Sequence, residues 1–241
     1  MTDYILTAEI RDMLMRISTA SLATALYKRG LRNQFIQGVT PVSRKKVNMV
    51  GQAFTLRYIP AREDRNPITV FRNEDHPQRA AIEQCPAGHV LVMDSRKDAR
   101  AASAGSILIT RLQVKGCAGV VTDGGFRDAE GIGALEMPAY HARPSAPTNL
   151  TLHEALDINV PIGCGDAPVF PGDVIVGDGD GVIVLPAHLA DEIAAECAGM
   201  ESFETFVLES VKDGHSIIGL YPPTREETNT RYEAWKKKNG I

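Results

Sequence analysis

The chain has 241 residues, is 44% hydrophobic and 23% charged, and carries a formal net charge of -4. Its length allows one large domain or two small ones with a substantial core, and its composition is that of an ordinary soluble globular protein. The acidic balance argues against a nucleic-acid binder, whose basic face should outweigh its acids. The basic runs RKK (44–46) and KKK (236–238) read as solvated surface. No apolar run of about 18 residues is present, and the N-terminus lacks a basic segment followed by an apolar one, so a soluble, cytoplasmic protein is expected. Cys85, Cys117, Cys164 and Cys197 lie about 30 to 50 residues apart without a CxxC pair, which removes the usual zinc and thioredoxin signatures. Cys117, in an apolar run, reads as a small buried hydrophobe.

The first 30 residues read as helical. In STASLATALYKRG, Ser18 is a candidate N-cap, Leu22, Ala25 and Leu26 fall at helical spacing, and Gly30 is the stop. VGQAFTLRYIPA (50–61) alternates like a half-exposed strand, with Ala53 and Thr55 on one face and Phe54, Leu56 and Tyr58 on the other, and Pro60 ends it. Residues 62–77 are polar, an excursion ahead of a helix near 78–84. PAGHVLVMD (86–94) and FPGDVIVGD (170–178) share one grammar: a turn of Pro with a small residue, a polar residue, then a short apolar strand ending in Asp. Between them a helix over 106–115 is closed by Gly116, and the apolar run 117–121 reads as a buried strand. An Asp/Gly turn, a strand over 182–185 and a long helix over about 187–212 follow, with Leu189, Ile193, Ala194, Cys197 and Met200 keeping helical rhythm. From 214 onward, prolines precede a short polar helix bearing the only tryptophan, Trp235; this tail is too small for a core of its own and suits packing on a neighbouring subunit. No linker divides the chain, so 1–241 reads as a single α/β domain.

GVVTDGGFRDAEGI (119–132) carries the chemistry. Gly124 and Gly125 permit a positive φ or a close approach to a ligand, on a loop leaving a buried strand, where α/β proteins present reactive groups. In an extended segment Arg127 and Asp128 would point opposite ways; in a turn both can line one pocket. Alone, such a pair reads as surface ion pairing. The neighbouring AASAGSILITRLQVKG (101–116) changes that reading. Small residues and Gly105 precede a helix whose first amides, those of Ser106, Ile107 and Leu108, form an anion cradle with the helix dipole. Amides, an arginine and a lone aspartate suit a small 2-oxo acid chelated to a divalent metal, with Arg127 at the developing negative charge and Asp128 as the metal ligand. One carboxylate with several waters is the habit of Mg2+ or Mn2+, whereas zinc would want His and Cys neighbours. The six histidines show no HxxxH or HExxH spacing. Ser103 and Ser106 lack a GxSxG elbow, and Asp178 and Asp180 read as a tight turn, with no glutamate closing a calcium loop.

The segments VGQAFTLRY, PAGHVLVMD, AGSILITRLQVKGCAGVVTDGGFRDAEGI and PVFPGDVIVGDGDGVIVLP resemble the family of 4-hydroxy-4-methyl-2-oxoglutarate aldolases and the similar regulators of ribonuclease activity, from about Ser18 to Ile193. The resemblance implies a swivelling β/β/α fold, a central β-barrel or sandwich flanked by helices, assembled as homotrimers or homohexamers with sites between subunits. It implies that the pyruvate carboxylate rests on the amides of Gly105 to Leu108, that Arg127 contacts substrate, and that Asp128 binds magnesium or manganese, partly through water. Aldolases of this family usually carry an acid right after the cradle glycine, 21 residues before the arginine; this chain has Ser106 there.

Serine, with a pKa far above neutrality, cannot be the same base, so the proton must come from another acid: Asp123, Glu130, or Glu201 or Glu204 of an adjacent subunit's long helix. The expected activity is a metal-dependent lyase, by retro-aldol cleavage to pyruvate or oxaloacetate decarboxylation. A hydro-lyase for a sugar-derived 2-oxo acid, with Ser106 reaching a substrate hydroxyl, and a non-catalytic ring that binds a ribonuclease stay open. The distal end of the substrate is expected to be read by loops such as 62–77.

Overall fold

The computed structural model of the chain describes residues 4–43 and 48–240, so the RKK run lies outside the described residues. Side-chain caps open the fold. Thr7 accepts from the Ile10 amide at 3.3 Å to start α1 (Ala8–Leu14), and Ser18 accepts from the Ser21 amide at 3.1 Å to start α2 (Thr19–Lys28). Each satisfies an amide that no helical carbonyl reaches. Short strands β1 (Phe35–Ile36) and β2 (Thr40–Pro41) precede the long β3 (Met49–Pro60). Then come α3 (Pro77–Gln84), β4 (His89–Asp94), β5 (Ala102–Ala104), α4 (Ser106–Val114), β6 (Gly119–Thr122), β7 (Gly125–Phe126), α5 (Ala129–Gly133), β8 (Ala139–His141) and β9 (Arg143–Pro144). The remainder is β10 (His153–Ile158), the hairpin β11 (Ile162–Cys164) and β12 (Ala167–Val169), the pair β13 (Val174–Gly177) and β14 (Val182–Leu185), α6 (Ala190–Lys212) and α7 (Glu226–Asn239).

A nine-stranded sheet in the order β1-β14-β13-β3-β4-β6-β8-β2 curls into a half-barrel flanked by helices. β3 is its axis: one edge pairs in parallel with β4, and the other pairs antiparallel with β13 near its start and β10 near its end. Both faces of the sheet are covered. On one face Ala53, Val90, Val92, Val121, Ile175 and Val184 pack with the β11–β12 hairpin. On the other, Leu56, Leu91 and Val120 meet α3 and α4, while Val50, Val176 and Leu185 meet α1, α2 and α6. This corrects the half-exposed reading of β3. Ala53, Thr55, Leu56 and Tyr58 are all 2% exposed or less, because a strand covered on both faces does not separate polar from apolar.

The two Pro-small-residue turns take the same form, with Gly88 and Gly172 at φ 75 and 90° ahead of β4 and β13. The Asp178 turn is structural: its carboxylate caps α2, accepting from the Thr19 amide at 2.7 Å and hydroxyl at 2.9 Å. Cys117 lies just before β6 rather than within it, and is buried as a free thiol. The tail folds back on α6 of its own chain, where Phe206, Val207 and Leu220 are buried against Phe203, Tyr232 and Trp235. Trp235 Nε1 donates to Glu209 at 2.6 Å. Among the described residues no helix is long and apolar enough to cross a membrane.

His141, at the end of β8, is buried beside Phe126 with Nδ1 lacking a partner among the described residues, and burial pushes its imidazole down to about 4. An unfolded histidine titrates near 6.5, so between the two values the unfolded chain binds more protons and stability rises with pH. Lowering the pH from about 6.5 to 4 is therefore expected to cost roughly 2–3 kcal/mol at this residue. His141→Phe should flatten that part of the stability–pH curve in urea unfolding; an unchanged slope would remove the assignment.

Candidate active site

Two strands of a small separate sheet set the site. β5 and β7 pair in parallel, with Ala102 opposite Gly125 and Ala104 opposite Phe126, and β9 extends the sheet along β7. Parallel strands leave a sheet at the same end, so Gly105 and Arg127 emerge side by side, and the Arg127 amide donates to Ala104 O at 3.1 Å. Neither Gly124 nor Gly125 has a positive φ. Their lack of a side chain serves packing instead. A Cβ on Gly124 would sit 2.6 Å from Ser103 Oγ and from Ser95 Cβ, and one on Gly125 would sit 2.6 Å from Ser145 Cβ. Beneath them Ser95, Ser103 and Thr122 form a buried hydroxyl cluster, with Ser103 Oγ 2.7 and 2.6 Å from the other two hydroxyl oxygens.

The residue that takes the left-handed conformation is Asp128, at φ 56 and ψ 39°. Aspartate tolerates this region better than most residues, at a cost of order 1 kcal/mol. The bend turns the Arg127 and Asp128 side chains to the start of α4. Asp128 is the N-cap residue of α5 yet makes no side-chain cap bond there. Its Oδ2 instead lies 3.4 Å from the Ser106 amide and 3.3 Å from Ser106 Oγ, both donating to it. Arg127 Nε lies 3.8 Å from the same oxygen, with both side chains about half exposed. Gly105 is required by this crowding, since a Cβ there would stand 2.7 Å from Arg127 Cγ and 3.1 Å from Asp128 Oδ2.

The cradle is smaller than the sequence suggests. The Leu108 amide donates to Gly105 O at 3.1 Å, and the Ser106 amide leans on Asp128; the Ile107 amide has no acceptor among the described residues. Gly105, Ile107, Leu108, Arg127 and Asp128 together line an open cleft of about 260 Å³. Phe71, Gln78, Arg79, Thr148 and Asn149 complete the lining, and none of them stands in a distinguishing motif. The only usable signal was the 62–77 excursion, which supplies Phe71 from a short 3-10 turn, Ile68–Arg72. Gln78 is locked by donating to Ser103 O at 2.6 Å and Tyr58 Oη at 3.3 Å.

Within a single chain, Asp123, Glu130, Glu201 and Glu204 do not line this cleft. Asp123 is buried and accepts from the amides of Ser95, Lys97 and Gly165, which ties three loops together; burial pushes its carboxyl up while those amides pull it back. Glu201 accepts from the Ser18 amide and hydroxyl, and Glu204 from Tyr221 Oη, each at 2.9 Å. Glu130 is exposed on α5, outside the lining. Among the described residues no group of three or more His, Cys, Asp or Glu side chains is arranged to hold a metal.

A family model described as "RraA-like: Aldolase/RraA" matches residues 19–184. The chain belongs to this family. A relative from Halalkalibacterium halodurans, named "Putative 4-hydroxy-4-methyl-2-oxoglutarate aldolase", is 39% identical over 141 residues, 58% of this chain and 67% of that protein. Among solved structures, Streptomyces coelicolor RraAS2, described as an unusual member of the RNase ES inhibitor RraA protein family, has a TM-score of 0.74 at 28% identity and covers 83% of this chain and 96% of its own. A protein from Pseudomonas syringae pv. tomato shares the fold, with a TM-score of 0.75 at 24% identity over 88% of this chain and 96% of its own. The RraA-like family thus contains relatives named as aldolases and others described as ribonuclease inhibitors. Residues 185–241, with α6 and α7, lie beyond the family match.

Because Gly105 is fixed by contact with Arg127 rather than by its φ, Gly105→Ala should fold normally but push the guanidinium out of the cleft. Affinity for oxalate, a small dianion suited to an amide and a guanidinium, is expected to fall at least about tenfold by calorimetry. Unchanged affinity would show that the crowding at Gly105 has no bearing on ligand binding.

Proposed function

We propose that the chain is a divalent-metal-dependent lyase for a small 2-oxo acid, acting by oxaloacetate decarboxylation or by retro-aldol cleavage to pyruvate. One observation carries this reading: the free Ile107 amide at the start of α4, the Arg127 guanidinium and the Asp128 carboxylate meet in a single open cleft. The donor set fits Mg2+ or Mn2+, which accept one hard carboxylate and fill the remaining positions with water and substrate oxygens, and it does not fit zinc. When bound, such an ion would polarise the oxo and carboxylate oxygens that chelate it. The chain's own groups do the rest. The Ile107 N–H and the positive end of α4 hold the substrate carboxylate. Arg127 offers charge-assisted donors to the oxo oxygen as negative charge collects there.

Ser106 bears on which bond breaks. Its hydroxyl donates to Asp128, and no carboxylate other than Asp128 lines the cleft among the described residues. Retro-aldol cleavage must remove a proton from the substrate hydroxyl. Decarboxylation removes none, and its enolate can be protonated by water, so it needs no second acid from this chain. The alternative hydro-lyase reading would use Ser106 Oγ against a substrate hydroxyl. A homotrimer or homohexamer with its sites between subunits stays part of this proposal on the family resemblance alone. The ribonuclease-binding reading draws on the description of RraAS2; the Arg127–Asp128 pair, which a binding ring does not need, places it second.

Arg127→Ala and Asp128→Ala are each expected to lower Mg2+-dependent pyruvate formation from oxaloacetate at least about 100-fold, a loss typical of removing a group that stabilises developing charge. Pyruvate is followed by coupled reduction to lactate, and melting temperatures check folding. Full activity in either variant sinks the assignment. No turnover of a 2-oxo-acid panel by the wild type, together with capture of a ribonuclease, would put the regulator first.

A further inference from the structure

The cleft has a second guanidinium that the chemistry above does not use. Arg79 lies in the first turn of α3, where the helix dipole disfavours a cation. Its natural helical partner one turn on, Glu83, is taken: both of its carboxylate oxygens accept from Arg111, at 3.0 and 2.9 Å. Arg79 has no carboxylate partner among the described residues. What holds it is an aromatic face, with Cζ 4.7 Å from the Phe71 ring centroid, and His76 meets that ring edge-on with centroids 5.0 Å apart. Phe71 comes from the 3-10 turn of the 62–77 excursion, so this excursion shapes the wall that positions Arg79. Stacking of this kind fixes the direction of a guanidinium while leaving its N–H fork unsatisfied. A cation set against a helix dipole, unpaired and exposed at a cleft, is a poor choice for stability and a good one for an anion.

We infer that Arg79, held on Phe71, is a specificity-determining residue that reads a second anionic group at the end of the substrate remote from the 2-oxo-acid head. The division of labour follows from charge. On the proposed reading Arg127, the Ile107 amide and Asp128, which would hold the ion, serve the head, which leaves Arg79 as the lining cation for a distal carboxylate. Thr148 and Asn149 add neutral polar lining to the same cleft. The site therefore prefers a dianionic 2-oxo acid to a neutral-tailed one of the same length. This inference rests on the proposed reading of the cleft as a 2-oxo-acid site.

The test uses a matched pair that breaks the same bond: 4-hydroxy-2-oxoglutarate, which ends in a carboxylate, and 4-hydroxy-2-oxopentanoate, which ends in a methyl group. Both give pyruvate on cleavage. The wild type should favour the first in kcat/KM, and Arg79→Met, which keeps an unbranched chain on Phe71, should shrink that ratio at least about tenfold, the scale of one hydrogen bond to a charged group. Arg79→Lys should keep most of the ratio. An equal loss on both substrates, or an unchanged ratio, overturns the inference. If the wild type cleaves neither, calorimetric binding of 2-oxoglutarate against 2-oxopentanoate with Mg2+ separates the two claims. A carboxylate preference that Arg79→Met abolishes keeps the role of Arg79 while the lyase reading fails; equal binding of both ligands by wild type and variant sinks the role as well.

Discussion

The parallel pairing of two very short strands is the constraint on which the rest depends. Ala104 lies opposite Phe126, so the chain leaves β5 and β7 at the same end and delivers a helix start and an Arg-Asp turn to one place. Residues 22 apart in sequence become neighbours through a few hydrogen bonds. The glycines follow from that closeness: the backbone of Gly124 lies against Ser95 and Ser103, that of Gly125 against Ser145, and Gly105 lies under the Arg127 stem. Packing distance, not backbone conformation, sets a side chain against its neighbours at these three positions.

Electrostatics then decides what the turn is for. An Arg–Asp contact of 3.8 Å between half-exposed side chains contributes little, of order 0–1 kcal/mol, because water screens it. Neither charge is consumed by the other. The guanidinium and the carboxylate both remain able to form stronger, better aligned contacts with a ligand or an ion, where bidentate geometry and lower local dielectric raise the gain. The same logic applies across the cleft to Arg79, whose cation–π contact orients it without satisfying its donors.

Much of the fold was legible in residue patterns, and the exceptions have physical causes. Helix α2 with its Ser18 cap, helix α4 ending before Gly116, the strand from Val182 and the two Pro-small-residue turns are local features, and local chemistry writes them plainly. The alternation in β3 suits a half-exposed strand, because period-2 patterning cannot reveal a second covering layer. β5 and β7 were invisible as strands, since three and two residues carry no periodicity. At the site, Gly105, Ile107, Arg127 and Asp128 could be picked out from helix-start and turn chemistry. Phe71, Arg79, Thr148 and Asn149 could not, for they come from segments brought together only by tertiary packing. Helix-start chemistry alone leaves the Leu108 amide free, because the tight first turn that bonds it to Gly105 O has no sequence signature.

The site also sits apart from what stabilises the molecule. The three large apolar clusters are built on the nine-stranded sheet, and neither Arg127 nor Asp128 belongs to any of them. Asp128 is even held at a cost: a left-handed backbone worth about 1 kcal/mol, and an N-cap position whose side chain forgoes a capping bond of similar value. Relief of that strain by glycine, or of the unused cap by a residue that bonds to α5, would serve folding better. Stability alone therefore gives no reason to keep an aspartate facing Ser106 and Arg127. A scaffold whose core is indifferent to this turn can carry catalysis in one relative and protein binding in another, and the strained Asp128 in this chain points to chemistry at the turn.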